Sequence, residues 1–271
     1  MDSHSPIATV AQALRRAERI LVITGAGLSA DSGMPTYRGL GGLYNGRTEE
    51  GLPIEAALSG PMLRRDPALC WKYLAELGKA CLAARPNAGH EAIAELQKHK
   101  PECWVLTQNI DGFHRQAGSP AERLIEIHGE LAPLYCQSCG AESGGLEEHL
   151  HGQLPPRCAA CGGVLRPPVV LFEEMLPEEA IDTLYRELRK GFDAVLVVGT
   201  TASFPLYRRT GAAHAAGGRL HRGGESWRDR PQRAGRCEND RTSLRHHAAG
   251  GKSHLSIKNL HRIDREGKLA R

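Results

Sequence analysis

Three continuous apolar runs stand out along the chain: Ile20-Leu21-Val22-Ile23, Trp104-Val105-Leu106-Thr107 and Asp193-Ala194-Val195-Leu196-Val197-Val198. Short runs without polar alternation suit strands buried on both faces, as in a parallel sheet. Each run stops in a polar or glycine turn, Thr24-Gly25-Ala26-Gly27-Leu28-Ser29, Gln108-Asn109-Ile110-Asp111 or Gly199-Thr200-Thr201. Helical patterning precedes them, over Val10–Arg19, Gly89–Lys98 and Pro177–Lys190. The pattern predicts an α/β fold with a doubly wound parallel sheet, whose ligand lies at the carboxyl ends of the strands.

Two excursions interrupt it. The first runs from Pro35 to Arg85, a glycine-rich loop around Tyr37–Tyr44 and then helical segments near Leu52–Leu58 and Asp66–Ala84. The second, Leu131 to Pro168, holds Cys136-Gln-Ser-Cys139 and Cys158-Ala-Ala-Cys161, two C-x-x-C knuckles with eighteen residues between them. Paired knuckles at this spacing predict a four-thiolate zinc site, closed to water and therefore structural. Two disulfides, a single redox pair or unbound buried cysteines are the rival readings. His149 and His151 between the knuckles look like a solvated helix end. Cys70, Cys81 and Cys103 read as small buried hydrophobes.

Composition adds less. The 271 residues carry a formal charge of +4, but residues 217–271 alone hold 14 Lys/Arg against 6 Asp/Glu. The rest of the chain is therefore mildly acidic, and scattered tail charges without a motif weigh against nucleic acid as a partner. With no apolar run long enough for a bilayer and no signal-like start, a cytoplasmic protein is expected. Oligomeric state is left open.

Gly25-Ala26-Gly27 after a strand suits close approach of phosphate, although Ala30 stands where a dinucleotide fingerprint would place its third glycine. The acidic residue expected to end a second strand about twenty residues on is absent, which disfavours a hydride-transfer oxidoreductase. Gly25–Ser29, Ser32-Gly33-Met34-Pro35, Tyr37-Arg38-Gly39, Thr107–Asp111, His128-Gly129-Glu130, both knuckles, Arg166–Phe172 and Gly199–Thr201 follow one another in order. From about Ile20 to about Gly217 this series closely resembles the sirtuins, NAD-dependent protein lysine deacylases, of bacterial type.

The resemblance implies a Rossmann-like core (about 7–35, 86–131 and 169–217), a helical cofactor-loop module (about 36–85) and a zinc module (about 132–168). It implies that Gly25, Ala26, Gly27, Ser29, Tyr37, Arg38, Gln108, Asn109, Ile110, Asp111, Gly199, Thr200 and Thr201 meet NAD. Cys136, Cys139, Cys158 and Cys161 would hold one structural Zn2+. Val169, Val170 and Phe172 would form a strand beside which an acyl-lysine peptide adds. His128 would be the general base: the acyl oxygen attacks the ribose carbon bearing nicotinamide, and the base then activates a ribose hydroxyl.

The chain departs from the family in places. Glu173 occupies a usual glycine position, so a positive φ there would strain it. Tyr37 replaces the more usual phenylalanine. Tyr73 is followed three residues later by Glu76 in place of the arginine of desuccinylating members, which favours acetyl or another neutral acyl group. Residues 218–271 contain no Val, Phe, Tyr or Met and lack the family's closing strand. Codons for His221–Trp227, read one base later, can spell Ile-Glu-Val-Gly-Asn-Pro-Gly, the expected continuation, so the tail reads as poorly folded and out of frame. The alternative function is a catalytically impaired, zinc-containing module that binds acyl-lysine but has lost NAD affinity.

Overall fold

The computed structural model describes residues 6–35 and 47–200 and two short strands in the tail. Tyr37, Arg38, Thr201, Cys237 and the tail's reading frame lie outside the described residues. The elements run α1 (Pro6–Arg16), β1 (Arg19–Thr24), α2 (Ala26–Ser29), α3 (Ile54–Ala57), α4 (Gly60–Arg65), α5 (Pro67–Ala83), α6 (Ala88–His99), β2 (Glu102–Thr107), α7 (Phe113–Gln116) and β3 (Leu124–Glu126). They continue with β4 (Tyr135–Cys136), α8 (Leu146–Leu150), β5 (Leu165–Arg166), α9 (Glu178–Arg189) and β6 (Ala194–Val198). The tail strands β7 (Arg262–Ile263) and β8 (Leu269–Ala270) pair with each other.

β1, β2, β3 and β6 form a parallel sheet in the order β3-β2-β1-β6. All three expected strands are present. β3 was not expected, because Leu124-Ile125-Glu126 is too short to carry a pattern. The apolar runs are continuous because each strand feeds both faces. Leu21, Ile23, Trp104 and Leu106 pack on Leu184 of α9 and Phe192. Ile20, Val22, Cys103 and Val105 pack on Ala17 and on Ile93 of α6.

The two excursions share one further core. Ile54, Trp71 and Leu74 of the helices pack with Leu134, Cys136, Leu165 and Val169. The Trp71 indole donates to the Leu165 carbonyl at 2.9 Å, satisfying its one polar atom. The helices begin where the sequence supplies caps: Ser59 accepts from the Met62 amide, Asp66 from Leu69 and Asn87 from Gly89.

Val169–Phe172 is not the regular strand expected of it. It is extended, but it makes only isolated bridges, Val169 to Gly129 and Phe172 to Ser59. The turn that follows places Glu173 at φ 64, the left-handed region. Because Cβ crowding there costs a non-glycine residue about 1–2 kcal/mol, Glu173→Gly is expected to raise unfolding stability by about 1 kcal/mol. A urea titration checks this; unchanged or lower stability would show that the turn is not strained.

Candidate active site and metal centre

The register of the sheet gathers the site. Thr24 lies beside Thr107 on one side and Val198 on the other, and Thr107 lies beside Glu126. The turns after all four strands therefore emerge on one edge. The chain builds outward from β1 to β3 and returns to the far flank of β1, so this edge is the topological switch point where open α/β sheets bind ligands.

At that edge Gly25, Gly27 and Gly199 pack backbone on backbone. A Cβ on Gly27 would lie 2.8 Å from the Gly199 oxygen, and one on Gly199 would lie 2.1 Å from the Leu28 nitrogen. The Gly25 amide donates to Val198 O and the Gly27 amide to Gly199 O. The glycines make close approach possible; two of the three amides are already committed inside the protein.

Beneath the turn lies a polar cluster. Ser29 is buried, donates to Asp111 Oδ2 at 2.6 Å and accepts from Asn109 Nδ2 at 3.0 Å. Asn109 also donates to Gly25 O, and the Phe113 amide donates to Asp111 Oδ1. Each Asp111 oxygen thus holds one hydrogen bond and keeps capacity for another donor. Thr200 Oγ1 donates to Gln108 Oε1 at 3.4 Å, linking the β6 turn to the β2 turn. Ile110 packs on the core shared by the helical segments and the knuckle region. A bound dinucleotide fits such a set: a close-packed glycine turn, amide and hydroxyl groups, and a carboxylate for an amide NH2, all on one sheet edge.

Two histidines that sequence reasoning did not single out also lie here. His90 and His114 are buried, with ring centroids 5.1 Å apart. His114 Nε2 is 2.9 Å from Thr24 Oγ1, and His90 Nε2 is 3.4 Å from Ser29 Oγ. Burial, then the neighbouring His90, pushes His114 down to about 3, so it stays neutral. The signal for His90 was Asn87-x-x-His90 at a helix start, which reads only as a cap.

His128 follows β3 at the same edge, half-buried. Its Nδ1 donates to the Gln108 carbonyl at 2.9 Å, which assigns the proton to Nδ1 and the basic lone pair to Nε2. Burial lowers its pKa below the ordinary histidine value, partly opposed by that hydrogen bond. Gly129 holds φ 72, and a Cβ on it would lie 1.9 Å from Pro168 O. That space lets the Val170 amide donate to His128 O at 2.8 Å, docking the extended segment against the histidine.

The segment itself offers little main chain to a peptide. The amides of Val170, Leu171 and Phe172 all donate within the protein, and Arg166, Glu174 and Gly60 use the carbonyls of Val169, Leu171 and Phe172. Among the described residues, the Val169 amide and the Val170 carbonyl are the two main-chain groups of this segment without a partner. Most main-chain groups of Val169–Phe172 are thus used within the protein. Phe172 is 38 % exposed, whereas Val169 is buried.

The four knuckle sulfurs lie within 4.8 Å of one another. Cys136 and Cys161 Sγ are 3.4 Å apart and Cys139 and Cys158 Sγ are 3.8 Å apart, far beyond a disulfide. A tetrahedron of thiolates at about 2.3 Å from zinc has edges of about 3.8 Å, so the set fits that ion. The Cys139 backbone amide, with that of Ser138, draws the Cys136 thiol down to about 6. His149 lies in α8; its Nε2 donates to the Ser143 carbonyl at 2.7 Å and lies 3.3 Å from Ser143 Oγ, outside the sulfur cluster. Burial pushes Cys70 and Cys103 up to about 12, in keeping with inert core thiols.

The Sir2 family model matches residues 25–204. The chain belongs to the Sir2 family. It is 74% identical over 195 residues to NAD-dependent protein deacylase 2 of Pseudomonas syringae pv. tomato, covering 72% of this chain and 79% of that protein. It is 40% identical over 196 residues to the NAD-dependent protein deacylase of Thermococcus kodakarensis, covering 70% and 73%. Among solved structures, a Sir2 homologue–NAD complex superposes with TM-score 0.63 at 33% identity, over 74% of this chain and 75% of that one. A Sir2–p53 peptide–NAD+ complex does so with TM-score 0.65 at 25% identity, over 75% and 80%. This Sir2 protein should carry one zinc per chain by elemental analysis. Cys158→Ala is expected to abolish that content and lower the thermal midpoint, since zinc-binding energy is folding energy; full zinc in the variant would remove Cys158 from the ligand set.

Proposed function

We propose that this protein is an NAD-dependent protein lysine deacylase that transfers the acyl group from lysine to ADP-ribose with release of nicotinamide. The observation that carries this reading is His128, its proton fixed on Nδ1 by the Gln108 carbonyl, at the switch-point edge beside the docked Val169–Phe172 segment. NAD supplies the ADP-ribosyl acceptor and the nicotinamide leaving group. Asp111, oriented by Ser29 and the Phe113 amide, is placed to accept from an amide NH2. Asn109 and Gln108 are the polar groups beside it for a ribose. His128 Nε2 takes a hydroxyl proton while Nδ1 keeps its own.

The residues at the position of the Tyr-x-x-Arg pair of desuccinylating members favour a neutral acyl group. The Tyr73 hydroxyl donates to Glu50 at 2.5 Å, Lys72 is paired with Glu49 and Glu50, and Glu76 follows on α5. None of these offers an uncommitted cation to an acidic acyl chain.

A second reading has its own support. The 195 matched residues are 79% of the Pseudomonas relative, so the match leaves about a fifth of that protein outside it. With the out-of-frame reading of residues 218–271, this favours a module that keeps zinc and acyl-lysine binding but is impaired in NAD binding. Nicotinamide release from NAD, measured with and without acetyl-lysyl peptide, separates the two. Peptide-dependent release supports the deacylase; peptide binding without release supports the impaired module. Coding DNA whose shifted frame lacks the family continuation would remove the frame argument.

His128→Ala is expected to lower deacylation by about 10²–10⁴-fold, the worth of a general base, with zinc content and melting retained. Wild-type turnover in that variant would remove His128 from the role. The base works unprotonated, so activity falls as pH drops through its lowered pKa. The acid limb of the kcat profile is therefore expected below about 6.5, and a limb at or above that value would contradict the assignment.

A further inference from the structure

Arg166 is among the few charged side chains buried in the described structure, 7 % exposed, and nothing in the reaction uses it. Its guanidinium makes a two-pronged pair with Glu174, Nη1 to Oε1 at 2.6 Å and Nη2 to Oε2 at 2.9 Å. Nη2 also donates to the Val169 carbonyl at 2.6 Å, and Nε to the Pro167 carbonyl at 3.2 Å. Glu174 Oε2 accepts from the Leu171 amide at 2.9 Å. The pair therefore grips the backbone of the extended segment at its start and near its end.

The opposite side of the segment faces the chemistry. There the Val170 amide donates to His128 O at 2.8 Å, and the Phe172 amide to Leu58 O at 3.0 Å. Gly60 leaves room for the carboxylate, since a Cβ on it would lie 2.7 Å from Glu174 Cγ. The turn that brings Glu174 back to Arg166 is the one that holds Glu173 at φ 64. Strained backbone persists where surrounding contacts over-determine it, and the pair supplies those contacts. Arg166 sits on β5, opposite Tyr135 and next to the Leu165–Cys136 pair, so its place is set by the zinc module.

We propose that Arg166 and Glu174 are positioning residues: a largely buried clamp that fixes Val169–Phe172 against His128 and so sets the affinity for acyl-lysine peptide, an inference that rests on the deacylase reading. A buried ion pair contributes geometry more surely than stability, because apolar residues of similar volume often stabilise as well. That difference supplies the test. Glu174→Gln leaves a buried guanidinium short of its counter-charge, and the double variant Arg166→Met/Glu174→Met removes both charges.

Peptide affinity is read by fluorescence anisotropy with a labelled acetyl-lysyl peptide, beside thermal melts and zinc content. Glu174→Gln is expected to weaken peptide binding by about tenfold, the scale of a small misplacement. The double variant should melt close to the wild type yet bind peptide as weakly as Glu174→Gln. Recovery of both stability and affinity in the double variant would make the pair merely structural and overturn the proposal, as would unchanged affinity in Glu174→Gln. If the folded wild type binds no acetyl-lysyl peptide, the deacylase reading falls and the clamp with it; wild-type binding with unaffected variants sinks the clamp alone.

Discussion

The packing of the Gly25–Gly27 turn onto Gly199 is the constraint on which the rest of the described structure depends. It joins the turns after β1 and β6 at backbone distance, closer than any Cβ allows. Once that contact is made, β2 and β3 can add only on the other flank of β1. The in-register ends of the four strands then deliver Ser29, Asn109, Asp111 and His128 to one edge. The glycines act here through the absence of side chains. Their amides are largely spent on holding the turn together.

Two polar assemblies stand on that frame. The first, under the cleft, is the Ser29–Asn109–Asp111 cluster backed by neutral, buried His90 and His114. In a low-dielectric setting a satisfied network of this kind fixes side-chain direction, which a binding site needs more than it needs stability. The second is the Arg166–Glu174 pair behind the extended segment. It carries the geometry of the zinc module to the neighbourhood of His128, through β4 and β5 and the core shared with Trp71. The closed thiolate site does no chemistry, but the strand pair beside it holds the arginine.

The legible features were those written in local pattern. β1, β2 and β6 could be read because a strand buried on both faces has a continuous apolar run. The knuckles could be read because a tetrahedral site needs two tight turns at fixed spacing. Glu173 could be singled out through the resemblance, because the family usually has glycine there, and its φ of 64 is the outcome. β3 escaped notice because three residues carry no periodicity. Val169–Phe172 looked like a strand from its β-branched residues, yet its amides are spent on His128, Glu174 and Leu58.

The sequence by itself determined the fold class and the four-cysteine cluster, and its resemblance to a known family pointed to His128. The first two follow from near-neighbour spacing and burial pattern, the third from the order of motifs that carries the resemblance. Only the tertiary structure decided which nitrogen of His128 is basic, which amides remain for a ligand, that His90 and His114 underlie the site, and that Arg166 meets Glu174. These depend on hydrogen bonds between residues distant along the chain, such as Gln108 to His128 and Ser29 to Asp111. Each polar group can choose among many partners, and only the packed structure selects one.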